Sequence, residues 1–367
     1  MHKSAAWPLA LVYAALICYA SLYPFADWRD QGIAPWDFLL SPLPMYWTGF
    51  DVAINVVGYA PLGFLLALAW QRSGRSRPLL TAVLASSMLS LSMETLQSYL
   101  PMRVPSNLDL ALNVLGAAMG ASTSTGLERL GALDRWSRLR AAWFVTHARG
   151  ALALLALWPV ALMFPASVPL GLGQVLERLL DVAQEVLSET PFVTWLPPPE
   201  VVFQSLSPYS ELACVAMGLW APCLLGISII RSTRRRLIFV LMVLVVAIAA
   251  SGLSAALSYG PGNAWSWLSH TVLQGLLLGA GLAVASVALR PSLAVSLMAL
   301  SLLGALVLLN LSSVSPYFAQ TLQTWEQGRF IRFHGLVQWV GWCWPYAALI
   351  YAVIRLFGGR PKFRIGR

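Results

Sequence analysis

The sequence predicts an all-α polytopic membrane protein with about ten transmembrane helices and both termini in the cytoplasm. Three observations carry that prediction. Hydrophobic residues make up 58% of the 367 and charged residues only 11%, a balance outside that of soluble globular chains. Apolar windows of about 18–22 residues, the length that crosses hydrocarbon, recur from end to end. The bases also fall on alternate loops, as the positive-inside rule requires of a multi-pass chain. The surplus of +9 therefore reads as a topology signal and a lipid-facing surface rather than a nucleic-acid footprint, since no nucleic-acid motif accompanies it.

The windows are 7–24, 52–70, 79–98, 109–126, 143–164, 210–230, 237–257, 265–289, 292–311 and 337–357. With the N-terminus inside, the loops after even-numbered spans carry Arg72, Arg75 and Arg77, then Arg129 to Arg149, then Arg231 to Arg236, then Arg290. The opposite loops hold most of the acids, including Glu177, Asp181, Glu185, Glu189 and Glu200. The first span is long for a signal-peptide core and is read as an uncleaved helix. Cys18, Cys214, Cys223 and Cys343 all lie in apolar spans without a CxxC pair, so they read as small buried hydrophobes.

After span one, Phe25–Phe50 is rich in Trp and Pro and is expected at the membrane interface. Span two opens with DVAINVVG at Asp51–Gly58, and span four with DLALNVLG at Asp109–Gly116. Span one ends in SLYP and span three in SYLP. Spans one-two and three-four thus read as two copies of one hairpin, related by an axis along the membrane normal. Pro61 is expected to bend span two.

Helical spacing puts Asp51, Asn55 and Gly58 on one face, and Asp109, Asn113, Gly116 and Gly120 on another. Ser87, Ser90, Glu94 and Gln97 line span three. Polar stripes in a membrane face other helices, because charge facing lipid is costly. Gly58, Gly116 and Gly120 would allow the close approach this needs. Asp51, Asn55, Glu94, Gln97, Arg103, Asp109 and Asn113 all fall in the outer half, as one candidate ligand-binding set. Asp51 and Asp109 also start helices, where a carboxylate caps free N–H groups. Arg103 can neutralise Glu94 or Asp109.

The segment Gly126–Ala142 is the most polar between spans and marks a boundary. Residues 1–126 read as a four-helix module, 127–142 as a basic cytoplasmic linker, and 143–367 as a six-helix module. Within the second, LGQVLERLLDVAQEVL near 170–190 reads as an amphipathic helix on the outer surface, ended by Pro191 and Pro197–Pro199. Its polar residues again favour the outer side, among them Glu211, Asn310 and Gln338. His270, Arg329, Arg332 and His334 form a secondary candidate site. Two of these arginines and His334 sit in WEQGRFIRFHGLVQW, where they read as an aromatic belt with snorkelling bases or as a dock for an anionic headgroup. His270 alone reads as a satisfied intramembrane histidine.

Four motifs point to a family: N-x-x-G-x-x-P-L-G-F at Asn55–Phe64, E-T-L-Q at Glu94–Gln97, P-x-R at Pro101–Arg103, and D-x-x-x-N-x-x-G at Asp109–Gly116. Together they resemble the VanZ-like family over roughly residues 10–125. The resemblance implies a bacterial membrane protein engaged in cell-envelope work, in a family whose namesake is associated with low-level teicoplanin resistance. It carries over Asn55, Glu94, Gln97, Arg103, Asp109 and Asn113 as motif positions. Many members have a His shortly after the Asp of span two; here Asn55 stands near that place, which puts a titrating imidazole there in doubt.

The leading expectation is a site that binds or processes a membrane lipid or lipid-linked glycan, open to the outer leaflet of the bacterial inner membrane. Amides and carboxylates suit sugar hydroxyls, Arg103 suits a phosphate, and apolar walls suit a lipid tail. One alternative is a transporter or flippase, although its polar site would be expected nearer the midplane. Another is an enzyme with Glu94, aided by Asp109, as the acid/base candidate, since desolvation of a carboxyl group suits proton transfer. The same two acids could hold a divalent cation through oxygen ligands. No nucleophile motif, HExxH or phosphate loop appears, and the reading assigns no cofactor and no metal. Envelope proteins are the expected macromolecular partners.

Overall fold

A computed structural model describes residues 6–23, 25, 27–146, 148–164, 166–196, 206–312 and 331–358. These form twelve α-helices joined by short 3₁₀ turns, and no strand is found among the described residues. The helices are α1 (Ala6–Leu22), α2 (Gly49–Arg72), α3 (Pro78–Gln97), α4 (Asn107–Arg129), α5 (Ala132–Trp143) and α6 (Arg149–Leu162), then α7 (Leu176–Leu187), α8 (Pro208–Ile229), α9 (Thr233–Tyr259), α10 (His270–Ala285), α11 (Pro291–Asn310) and α12 (Ile331–Phe357). The protein is a multi-pass membrane protein: seven of these helices are long and apolar enough to cross a bilayer, and α1 and α6 are apolar but shorter. Each predicted window carries a helix. The fourth, α4, is diluted in hydropathy by Asn107, Asp109, Asn113 and the run Ser122–Thr125.

The fifth window is shorter than expected. Its first residues leave the helix because Trp143 and Phe144 pair with the end of α8. The Val145 N–H donates to the Ile229 carbonyl and the Arg231 N–H to the Trp143 carbonyl, closing a two-residue antiparallel bridge. The eighth window likewise starts late, at His270, after a turn built on Asn263 and Ser266. The expected linker is itself helical, as α5, with exposed Arg135, Arg138 and Arg140.

The chain divides into two compact units, one ending at Leu139 and one beginning at Arg140. In the first, α2 and α4 run side by side and parallel. Asn55 bonds Asp109 near one end and Gln71 bonds Thr125 near the other, both at an offset of 54 residues. A constant positive offset at both ends is the mark of parallel helices in fixed register. Small residues make the closeness possible: a Cβ on Gly63 would overlap the Ala117 carbonyl, one on Gly116 that of Val56, and one on Gly120 that of Ala60. Gly58, expected in this role, has open space around it; Gly63 takes its place. Helices α1 and α3 close the unit around Ile17, Tyr59, Leu62, Met93 and Ala117.

The second unit is built around α8, with 72% of its apolar window buried. Gly275 and Gly279 bring α10 against its backbone, and Ser301 of α11 donates to the Met217 carbonyl. At the basic end, Arg236 is buried and donates to the carbonyls of Ile230, Val287 and Leu289, at 2.9–3.0 Å. Its guanidinium thus satisfies carbonyls left over where α8 and α10 finish. At the other end, Asn310 of α11 accepts from the N–H groups of Val175 and Leu176 (both 2.9 Å), capping α7 from a distant helix. Leu179, Val182 and Val186 share one exposed face of α7, the arrangement expected of a helix lying on a membrane surface.

Candidate functional site

The sequence-predicted residues of the first unit gather at the end where α1 and α3 finish and α2 and α4 begin. The way those two later helices start decides what each acid does. In α2, Thr48 is the N-cap and Asp51 the third helical residue. Asp51 Oδ2 accepts from the Thr48 N–H (2.9 Å) and hydroxyl (2.7 Å), and Thr48 Oγ1 accepts from the Asp51 N–H, a complete capping box. In α4, Ser106 is the N-cap and Asp109 holds the same third position. Its carboxylate is turned away from the cap: Oδ1 accepts from Asn55 Nδ2 of α2 at 2.7 Å. Glu94 of α3 fills the place so released, its Oε2 accepting from the Ser106 N–H at 2.9 Å. Two chemically equal aspartates are thus given different jobs by their neighbours.

One turn deeper, the cluster is buried. Glu94 is 4% exposed and Asn113 5%, with Ser86 and Ser90 fully covered. Asn113 Nδ2 donates to Ser90 Oγ at 2.9 Å. The Tyr59 ring lies beside Ser90 and Glu94. Among the described residues, the Tyr59 hydroxyl, Asn113 Oδ1 and Ser86 Oγ are buried with no hydrogen-bond partner. Such atoms cost roughly 1–3 kcal/mol each when unsatisfied; Tyr59 and Asn113 lie about the Ser90 layer next to the buried carboxyl group, and Ser86 lies about two turns along α3 from it.

Gln97 and Arg103 serve a neighbouring task. Gln97 Nε2 donates to the Ser21 carbonyl (2.9 Å) and the Arg103 guanidinium to that of Tyr23 (2.7 Å). Both satisfy carbonyls exposed where α1 ends, and a cation there also suits the helix dipole. The loop between α1 and α2 crosses the same end. The Arg29 N–H donates to the Tyr99 carbonyl, Gln31 Nε2 to that of Ser98, and Asn107 Nδ2 to that of Ser41. Its exposed surface carries Trp36, Leu40, Met45, Tyr46 and Trp47, among them aromatic residues of the kind enriched at membrane interfaces.

Residues 7–127 match the family model described as VanZ/LLP1. The N-terminal region is VanZ-like. The rest of the chain has no family match, and the comparisons with curated proteins and with solved structures gave none.

Within the VanZ-like region, the structure links Asn55, Asp109 and Glu94 through the Ser106 cap and sets Asn113 on Ser90, one turn from Glu94 along α3. Gln97 and Arg103 lie beside this group, on the end of α1, and Asp51 closes its own helix start. Sequence reasoning missed Tyr59, Ser86 and Ser106. The spacing held the signal for two of them: Tyr59 follows Asn55 by four residues, and Ser86 precedes Ser90 by four, so each extends a stripe already noticed. Ser87, taken for the stripe, instead donates to the Val83 carbonyl of its own helix. In the secondary candidate site, His270 is exposed at the start of α10, at the first residue of a helix long and apolar enough to cross a bilayer, and pairs with Gln274 at 3.0 Å. Arg329 lies outside the described residues. Arg332 and His334 fall in the first turns of α12, with their side chains outside the described residues.

Proposed function

We propose that the VanZ-like region binds or processes a lipid or lipid-linked glycan of the bacterial envelope, at the Glu94 cluster and from the outer leaflet of the inner membrane. The observation that carries the reading is the buried Glu94 carboxyl group beside a layer holding two polar atoms that lack protein partners, Tyr59 Oη and Asn113 Oδ1. Hydroxyl-rich headgroups supply both donors and acceptors, which such a mixed set accommodates. Asp109 and Asn55 extend the set toward the helix ends, where a headgroup would enter. The aromatic loop beside it offers an interfacial surface for the tail end of the same ligand. Within an envelope role of this kind, teicoplanin susceptibility is the phenotype to score.

Native mass spectrometry of the full chain in mild detergent tests the proposal. The wild type should retain a specific phospholipid or polyprenyl lipid that Glu94→Gln loses or alters. Retention of the same lipid in unconverted form by the variant alone would favour processing over binding. Identical, nonspecific lipid in both proteins would overturn the proposal and leave Glu94 as the residue that holds the α3–α4 turn.

A further inference from the structure

The second unit encloses a cavity of about 490 Å³ at the end where α6 and α9 finish and α8 and α10 begin. Its apolar wall includes Phe164, Leu170, Leu172 and Val272. The polar lining includes one carboxylate, Glu211, with Ser167, Ser254, Tyr259, Asn263 and Ser266, and it contains no Lys, Arg or His. Four of its polar side chains donate into the protein, while Ser269 Oγ accepts from the Val272 N–H (3.1 Å). The Ser254 hydroxyl donates to the Met163 carbonyl (3.0 Å) and the Ser266 hydroxyl to that of Asn263 (2.8 Å). The Asn263 amide donates to the Tyr259 carbonyl (2.8 Å), and Ser167 donates to Gln174. Ser167, Ser254 and Ser266 have thus committed their hydroxyl hydrogens to the protein and offer a guest acceptor oxygens, while the Trp267 indole N–H, buried without a partner among the described residues, adds one donor.

Charge points the same way. Two helix N-termini and two helix C-termini meet at the cavity, so their half-charges offset one another. The formal charge of Glu211 remains: its backbone N–H donates to the Ser207 carbonyl, and its carboxylate has no hydrogen bond or ion pair among the described residues. Trp267 adds an aromatic ring to the lining, a surface that favours cations. Leu170, buried in the wall, holds a left-handed backbone conformation (φ +62°). A bulky residue keeps that strained geometry only where its surroundings enforce it, as happens at binding sites.

We propose that this cavity binds a protonated amine carried on an apolar body. The ammonium would donate to Glu211 and the serine oxygens, and the apolar part would lie against Phe164 and the leucines. Both an amine-bearing amphiphile and a small soluble amine carry this chemistry.

Isothermal titration of the purified full chain with decylamine, 2-aminoethanol and decyl phosphate separates the cases. Decylamine should bind, and Glu211→Gln should weaken it by at least about tenfold, the effect of losing a charge-assisted hydrogen bond. Asn263→Leu, on the exposed rim, should weaken it by a smaller factor and guards against a misfolded Glu211 variant. Glu94→Gln should leave it unchanged, which keeps this site distinct from the VanZ-like one. Binding of 2-aminoethanol as well would assign the site to soluble amines, whereas decylamine alone would assign it to an amphiphile drawn from the bilayer. Decyl phosphate binding as tightly as decylamine, or decylamine binding untouched by both cavity variants, overturns the proposal.

Discussion

At the scale of single residues, the instructive pair is Asp51 and Asp109. Both occupy the third position of a helix and follow a hydroxyl N-cap, so local sequence gives them one role. The structure separates them because α4 has a neighbour that α2 lacks: Glu94 reaches the Ser106 N–H and frees Asp109 for Asn55. Asp51→Ala should therefore cost about 1 kcal/mol, the usual value of a lost cap, and leave lipid retention intact. Asp109→Ala should cost more, about 1–3 kcal/mol, because it strands a half-buried amide, and should reduce lipid retention. Thermal unfolding in detergent and native mass spectrometry on both variants check the pair. Equal losses of lipid in the two would return Asp51 to the site.

Helix pairs show how much of the fold was legible and where legibility stops. Parallel α2 and α4, the glycine contacts of Gly116 and Gly120, and the joint burial of Glu94 and Asn113 all follow from periodicity. Periodicity gives a face but not the partner's shape, which is why Gly58 and Gly63 exchanged roles. It also cannot show a cap supplied from a distant helix, as Asn310 supplies to α7, or a base recruited to carbonyls, as Arg236 is. Substituting Gly120 by Val should drive a side chain into the Ala60 carbonyl and lower stability by about 1–3 kcal/mol or more, while Gly58→Ala should be neutral or slightly stabilising. Arg236→Lys should lose stability despite keeping its charge, because one ammonium cannot reproduce the fork that serves three carbonyls. Thermal midpoints rank these variants; an Arg236→Lys protein as stable as wild type would reduce Arg236 to a topology signal.

For the whole molecule, orientation rests on charge, and one short helix tests it. By the positive-inside rule the bases of α5 and of the loop after α8 are expected in the cytoplasm, an orientation that would require α6, between α5 and α7, to cross the membrane. Yet α6 has 14 residues and at 1.5 Å per residue spans only about 21 Å of a core about 30 Å thick. The remaining depth falls to the chain after it, where the backbone from Val168 to Leu172 is buried against α8 and α11. Non-helical backbone is tolerated at membrane depth when protein covers it. Single cysteines in a background freed of Cys18, Cys214, Cys223 and Cys343 decide the matter. Met45→Cys and Tyr209→Cys, both highly exposed, should react with an impermeant maleimide on intact cells. Arg138→Cys and Arg234→Cys should react only after permeabilisation. Labelling of Met45→Cys but not Tyr209→Cys would mean that α6 does not cross, which would place the Glu211 cavity on the cytoplasmic side while leaving the Glu94 cluster outside. Labelling of Tyr209→Cys and Arg234→Cys together on intact cells would instead mean that α8 does not cross, because α8 alone separates the two positions.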